Sequence, residues 1–269
     1  MRKQKNEEIR SAVRQSYGEV AGSGRSGCGC SIPGCCGTSN DITSSDIAVG
    51  LGYSGEDIAS VPEEANMGLG CGNPQAIASL QPGERVLDLG SGGGFDCFLA
   101  ARAVGKKGLV IGVDMTPEMI TQSRGNAEKG GYENLDFRLG ELENLPVADG
   151  IVDVIISNCV INLSPEKESV FSEAFRVLKP GGRLAISDIV ALAGLPDEMR
   201  KDMAYHTACI AGASLIQELE SILKKTGFEN IHIKPKPESK EFIRDWMPGS
   251  KIEEYVVSAT IEAVKPRHD

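Results

Sequence analysis

Apolar positions in this chain fall in short runs separated by longer segments of helical period. Val86, Leu87 and Leu89 form one such run, and glycines follow it at positions 90, 92, 93 and 94. An apolar stretch over 98–101 comes next. The pattern therefore predicts a strand over 86–89, a tight turn and a helix over 95–103. The alternation then repeats: strand 109–113, a helix from Pro117, strand 135–139 and strand 152–157. A helix over about 165–178 would bury Phe171, Ala174, Phe175 and Leu178, and a turn at 179–182 leads to strand 183–189. Strands alternating with helices predict a parallel sheet wound on both faces, with ligands bound beyond the carboxyl ends of its strands. Gly90, Asp114 and Cys159 lie at such ends.

The flanking segments have other patterns. Ile9, Val13 and Tyr17 recur every four residues, the spacing of an amphipathic helix over 6–18. Residues 21–45 are mostly Gly, Ser, Thr and Cys and read as a loop. Cys71 stands between Gly70 and Gly72, which predicts a thiol carried on exposed irregular backbone. A short helix over 75–80 ends at Pro82-Gly83. Downstream, a helical stretch over 196–212 and a helix over 215–225 precede two strand-like runs, 231–234 and 255–263.

Charge narrows the range of partners. There are 28 basic residues against 38 acidic ones, a net charge of −10, and no basic block. That excludes nucleic acid or an anionic membrane as the main partner. No apolar run approaches the roughly 20 residues of a spanning helix. The first residues, Met1-Arg2-Lys3-Gln4-Lys5, lack the apolar core of a signal peptide, so a cytoplasmic protein is expected. A length of 269 residues suits one large α/β domain, or one domain with a smaller appendage. Eight cysteines in such a compartment call for something other than a disulfide framework.

Four of them, Cys28, Cys30, Cys35 and Cys36, crowd the glycine-rich loop. Their spacing could hold a soft metal, but it lacks the paired Cys-x2-Cys knuckles of ordinary zinc sites. Exposed thiols on a loop could equally attack a disulfide elsewhere, or be a tolerated solvated tract. Cys71, Cys97, Cys159 and Cys209 are scattered. Cys97 falls in the first turn of a predicted helix and reads as a small core residue. The other three lie in Gly-Leu-Gly-Cys71-Gly-Asn-Pro, Ser157-Asn-Cys159-Val-Ile-Asn-Leu163 and Thr207-Ala-Cys209-Ile-Ala-Gly212, contexts that packing alone does not explain.

A dinucleotide fingerprint would place Gly or Ala where Phe95 stands, which favours a ligand without a pyrophosphate. The segment Asp88-Leu-Gly90-Ser-Gly92-Gly-Gly94 instead resembles the cofactor loop of S-adenosylmethionine-dependent methyltransferases. That resemblance implies Asp88, Gly90, Ser91 and Gly92 around the cofactor, with Asp88 near its methionine end. It also implies Asp114, 24 residues after Gly90, on the ribose hydroxyls. Tyr17-Gly18 matches a Tyr-Gly pair that related methyltransferases use as a lid. With the cysteine contexts and Gly112-Val-Asp-Met-Thr-Pro117 added, the chain closely resembles the arsenite methyltransferases of bacteria and archaea.

The resemblance implies a Rossmann-like class I methyltransferase fold, α/β, with a doubly wound, mostly parallel sheet. It divides the chain into an N-terminal helix and cysteine-rich loop (1–70), a cofactor-binding core (71–190) and C-terminal capping helices and strands (191–269). It implies Cys71, Cys159 and Cys209 as ligands of trivalent arsenic, and adds Met115, Leu142 and Asn158 to the cofactor contacts. Soft thiolates suit arsenic, and no general base is required because arsenic carries no proton to remove. Thiolate ligation would ask the protein to lower cysteine pKa values. Turnover would need a thiol reductant such as thioredoxin or a small thiol, with Cys28, Cys30, Cys35 and Cys36 passing on a disulfide. His206, His232 and His268 are expected to be surface or structural residues. Two alternatives stay open: a carbon or oxygen methyltransferase of the quinone-biosynthesis type, and a metalloid-binding protein without catalysis.

Overall fold

The computed structural model describes residues 2–23 and 43–267. The first helix, α1 (Arg2–Ser23), is longer at both ends than its apolar stripe suggested, and Ile9, Val13 and Val20 are buried. Next, α2 (Ser44–Gly50) and α3 (Gly55–Ala59) each open on a capping box, Thr43 with Asp46 and Ser54 with Asp57. Each box satisfies backbone N–H groups that a helix start leaves free. Of the expected loop over 21–45, residues 21–23 belong to α1 and the Thr43 cap starts a helix at Ser44; residues 24–42 lie outside the described residues.

The core then follows the predicted alternation: α4 (Gln75–Ala78), β1 (Arg85–Leu89), α5 (Phe95–Val104), β2 (Leu109–Asp114), α6 (Pro117–Gly130) and β3 (Leu135–Leu139). It continues with β4 (Val152–Asn158), α7 (Lys167–Val177) and β5 (Leu178–Ala191). Residues 179–182, expected as a turn, belong to β5. The register shifts between the Val152–Leu178 and Val154–Arg183 pairs, and Gly181 N–H donates to Lys265 O, so the irregularity is absorbed within the strand. The helix expected over 196–212 is broken into α8 (Asp197–Lys201) and α9 (Met203–Thr207). Asp202 causes the break by accepting from Ala204 N–H at 2.9 Å and capping a new start. The chain closes with β6 (Ser214–Leu215), α10 (Ile216–Thr226), β7 (Glu229–Lys236), α11 (Lys240–Ile243) and β8 (Val256–Val264).

All strands form one sheet in the order β3-β2-β1-β4-β5-β8-β7, with β6 beside the end of β5. Pairing is parallel from β3 to β5, and β8 is antiparallel to both β5 and β7. Because side chains alternate along a strand, each strand feeds two cores. Val86, Val110, Val154 and Ile156 pack with Phe98 and Phe137 on one face. Leu87, Leu89, Ile111, Val113 and Ile155 pack with Phe171 and Leu223 on the other. Each such large side chain, fully buried, contributes roughly 1.5–3 kcal/mol. The chain leaves β1 for β2 on one side and reaches β4 on the other, which opens a crevice at their carboxyl ends. Among the described residues no helix is long and apolar enough to cross a membrane.

Candidate active site

β1 delivers the chain into the crevice at Gly90, whose φ is 72°. A Cβ there would stand 2.4 Å from Cγ2 of Val160, so both the backbone angle and the close approach require glycine. β2 ends at Asp114. Its carboxylate accepts from Gly92 N–H at 3.0 Å and from Thr116 N–H at 2.8 Å, tying the glycine turn to the end of the next strand. Burial pushes the Asp114 carboxyl up, against those backbone hydrogen bonds.

Beyond these strand ends lies a cavity of about 610 Å³. Tyr17, Asp88, Gly90, Ser91, Gly92, Asp114, Met115, Leu142 and Asn158 all line it, together with Cys159 and Cys209. Cys71 lies behind this wall, only 1 % exposed. The expectation of an exposed Cys71 thiol is thus corrected. Gly70 and Gly72 do not expose the loop; they let it press against Asn158 and Ser187, with no room for a Cβ at either.

Two side chains pin this loop through three hydrogen bonds. Asn158 Oδ1 accepts from Cys71 N–H at 3.0 Å, and Asn158 Nδ2 donates to Gly72 O at 2.8 Å. Ser258 on β8 donates to Cys71 O at 2.6 Å. The result is a meeting of thiols from three distant parts of the chain. The Cys71 and Cys159 sulfurs lie within 4.8 Å of each other, and Cys209 Sγ donates to Cys159 O at 2.8 Å. Cys159 (φ 58°) and Cys209 (φ 62°) both adopt left-handed backbone, which non-glycine residues rarely do. Such strain persists where the surroundings enforce it, and it clusters at functional sites. The cysteine pKa values move opposite to expectation. Hydrogen bonds with Cys209 and Cys71, then burial, hold Cys159 well above the usual thiol range, and burial pushes Cys71 up.

Several residues here escaped the sequence pattern. Tyr53, buried, donates to Asp96 at 2.8 Å and accepts from Asn158 at 3.1 Å. Asp96 lies in the cavity wall, its carboxyl pushed to about 6 by burial, against hydrogen bonds from Tyr53, Asn158 and Gln75. Asp88 is held well up by burial and by the Asp96 charge, and accepts from Cys97 Sγ at 3.2 Å. Asp188 on β5 comes within 4.8 Å of the Cys71 and Cys159 sulfurs. Across the cavity, Ile9 and Val13 of α1 pack with Leu163 and Cys209, and Tyr17 donates to Thr207 O at 3.3 Å. Arg10 fastens α1 to Glu143 at 3.0 Å and Glu166 at 2.5 Å. Asp96 follows the glycine stretch by two residues, and that position was a readable signal; Tyr53, Arg10 and Asp188 had none. Cys28, Cys30, Cys35, Cys36 and His268 lie outside the described residues. His206 is half-buried, and burial lowers its pKa.

The cavity suits a nucleoside joined to an amino acid. Its size is that of a small-molecule site. Gly90, Gly92 and Gly93 present bare backbone to it, and Ser91 Oγ is buried there with no partner. Strand order, switch-point crevice and glycine turn together define a class I S-adenosylmethionine-dependent methyltransferase. A family model described as "Methyltransferase domain" matches residues 80–227. Over 98 % of its length the chain is 53 % identical to the arsenite methyltransferase of Halobacterium salinarum, of which it spans 68 %. It is 45 % identical, over 62 % of its length, to the arsenite methyltransferase of Aquipseudomonas alcaligenes, of which it spans 50 %. Among solved structures, an arsenic(III) S-adenosylmethionine methyltransferase from Chlamydomonas reinhardtii superposes with a TM-score of 0.60 at 32 % identity. That match covers 82 % of this chain and 73 % of the other. The chain belongs to the arsenite methyltransferase family.

Proposed function

We propose that this enzyme methylates trivalent arsenic held by the thiolates of Cys71, Cys159 and Cys209. One observation carries the reading: three cysteines distant in sequence come together, Cys159 and Cys209 lining a methyltransferase cavity and Cys71 just behind its wall, with the first two in left-handed backbone. When bound, S-adenosylmethionine supplies an electrophilic methyl group. Asp114, Ser91 and the backbone of the glycine turn would hold its nucleoside, with Met115 and Leu142 at the base and Asp88, Asp96 and Tyr17 around the remainder.

Burial and their neighbours favour the protonated form of Cys71 and Cys159. Arsenous acid balances this: each thiol proton leaves with an arsenic hydroxyl as water, three As–S bonds replace three As–O bonds, and no base is consumed. Three sulfur ligands leave the arsenic lone pair free. The protein's task is then to fix that atom in place, an effect that can supply roughly 7–11 kcal/mol of barrier lowering. Return of arsenic to the trivalent state takes two electrons from a pair of thiols, which become a disulfide. In this reading Cys28, Cys30, Cys35 and Cys36 hand that disulfide to a cytoplasmic thiol reductant.

Cys159→Ser tests the site. Arsenite methylation should be lost while S-adenosylhomocysteine affinity and melting temperature stay near those of the unmutated chain. The single, double and triple cysteine variants should be strongly non-additive, since three ligands fail as a unit. Full activity of Cys159→Ser would refute the assignment.

A further inference from the structure

Asp188 brings a carboxylate oxygen within 4.8 Å of the Cys71 and Cys159 sulfurs, and Cys209 adjoins Cys159. Three thiols and a carboxylate are a complete donor set for a tetrahedral thiophilic cation such as zinc or cadmium. Trivalent arsenic needs only the three sulfurs. A carboxylate offers about four acceptor positions. Here Oδ1 accepts from Asn162 Nδ2 at 2.9 Å and Ile189 N–H at 2.7 Å, and Oδ2 accepts from Ile161 N–H at 2.9 Å. The backbone N–H of Asn162 adds a favourable electrostatic contact to this carboxylate. Both oxygens are thus engaged by donors from within the protein, Oδ1 twice and Oδ2 once. Asn162 is itself fixed, with Nδ2 donating to Ile189 O at 2.6 Å.

We propose that Asp188 is a specificity-determining residue. Its hydrogen bonds withhold the carboxylate, so that the three cysteines bind three-coordinate arsenic and offer no fourth ligand to tetrahedral cations. The inference rests on the assignment of those cysteines as the arsenic ligands. Asn162 is the keystone, because it supplies the one side-chain donor that fills the carboxylate.

The test titrates arsenite and cadmium(II) separately into the reduced full chain, read by sulfur-to-metal charge-transfer absorbance. Asn162→Ala opens one acceptor position, so cadmium affinity should rise about tenfold, the scale of effects from residues that hold a ligand's orientation. Arsenite affinity should not follow it. Adding Asp188→Asn to Asn162→Ala should abolish the gain, since an amide is no anionic ligand. Asp188→Asn alone should leave cadmium affinity unchanged, because the carboxylate is already withheld. An unchanged cadmium-to-arsenite ratio in Asn162→Ala, or weaker cadmium binding in Asp188→Asn alone, would overturn the inference. Failure of the unmutated chain to bind arsenite through three thiols would instead overturn the arsenic assignment, and this inference with it.

Discussion

Gly212→Ala should perturb the proposed arsenic site from outside the cavity wall. An added Cβ would stand 2.0 Å from the carbonyl oxygen of Asn162, about 1 Å inside the 3.0 Å limit that such contacts respect. Both groups are backbone-anchored, so the turn over 208–213 must move away from Asn162 by about that distance. Overpacking of this kind costs roughly 1–3 kcal/mol, and at about 2–4 °C per kcal/mol the melting temperature should fall by about 2–12 °C. The functional loss should be larger. Cys209 lies three residues before Gly212 in the same turn, and a displacement of about 1 Å at reacting groups can cost about 100-fold in rate. Initial rates of arsenite methylation, arsenite affinity, S-adenosylhomocysteine affinity and thermal unfolding should be measured together. Rate and arsenite affinity should collapse with cofactor affinity retained, since Gly212 does not line the cavity. Gly194→Ala, where an added Cβ meets nothing within 4 Å, serves as the control and should change none of them. If Gly212→Ala melts lower but binds and methylates arsenite as well as the unmutated chain, the coupling of that turn to Cys209 is wrong.

Asp114→Ala removes the acceptor of the Gly92 and Thr116 N–H groups, so the melting-temperature gain given by S-adenosylhomocysteine should shrink markedly. Asp96 has a carboxyl near 6 when folded and near 4 when unfolded, so its ionisation costs stability that develops as pH rises from about 4 to 6. The stability advantage of Asp96→Asn over the unmutated apo protein should therefore be greater at pH 7 than at pH 5 in urea unfolding. An advantage independent of pH would contradict this. Replacing Cys28, Cys30, Cys35 and Cys36 by Ser should leave arsenite affinity intact and slow multiple turnover under a weak reductant. Loss of arsenite binding would place those thiols in the primary site.

The sheet was legible because a strand buried on both faces writes an unbroken apolar run, and each run here is short and ends in Gly, Asp or Asn. Asp114 was found for the same reason: the strand period fixes where β2 stops. The break at Asp202 was not legible, since Asp suits a helix interior poorly but forbids it less than Pro, and only its cap with Ala204 shows which role it takes. Residues 179–182 misled because Pro and two glycines mark a turn locally, whereas pairing with β4 on either side decides the outcome. The partnership of Tyr53 with Asp96 joins residues 43 apart, and no local pattern encodes it. Cys71 was assigned its exposure from flanking glycines, whose small size serves close packing as readily as exposure.

The protonated condition of Cys71 and Cys159 also bears on how such an enzyme survives in the cell. Peroxides and alkylating electrophiles react with thiolate, and scarcely with thiol. A cluster of neighbouring cysteines would ordinarily be quick to oxidise, yet here burial and mutual hydrogen bonding keep two of its sulfurs chemically quiet. Arsenous acid carries its own hydroxyls as proton acceptors. On the proposed arsenic assignment, it would therefore load a pocket that common oxidants pass by.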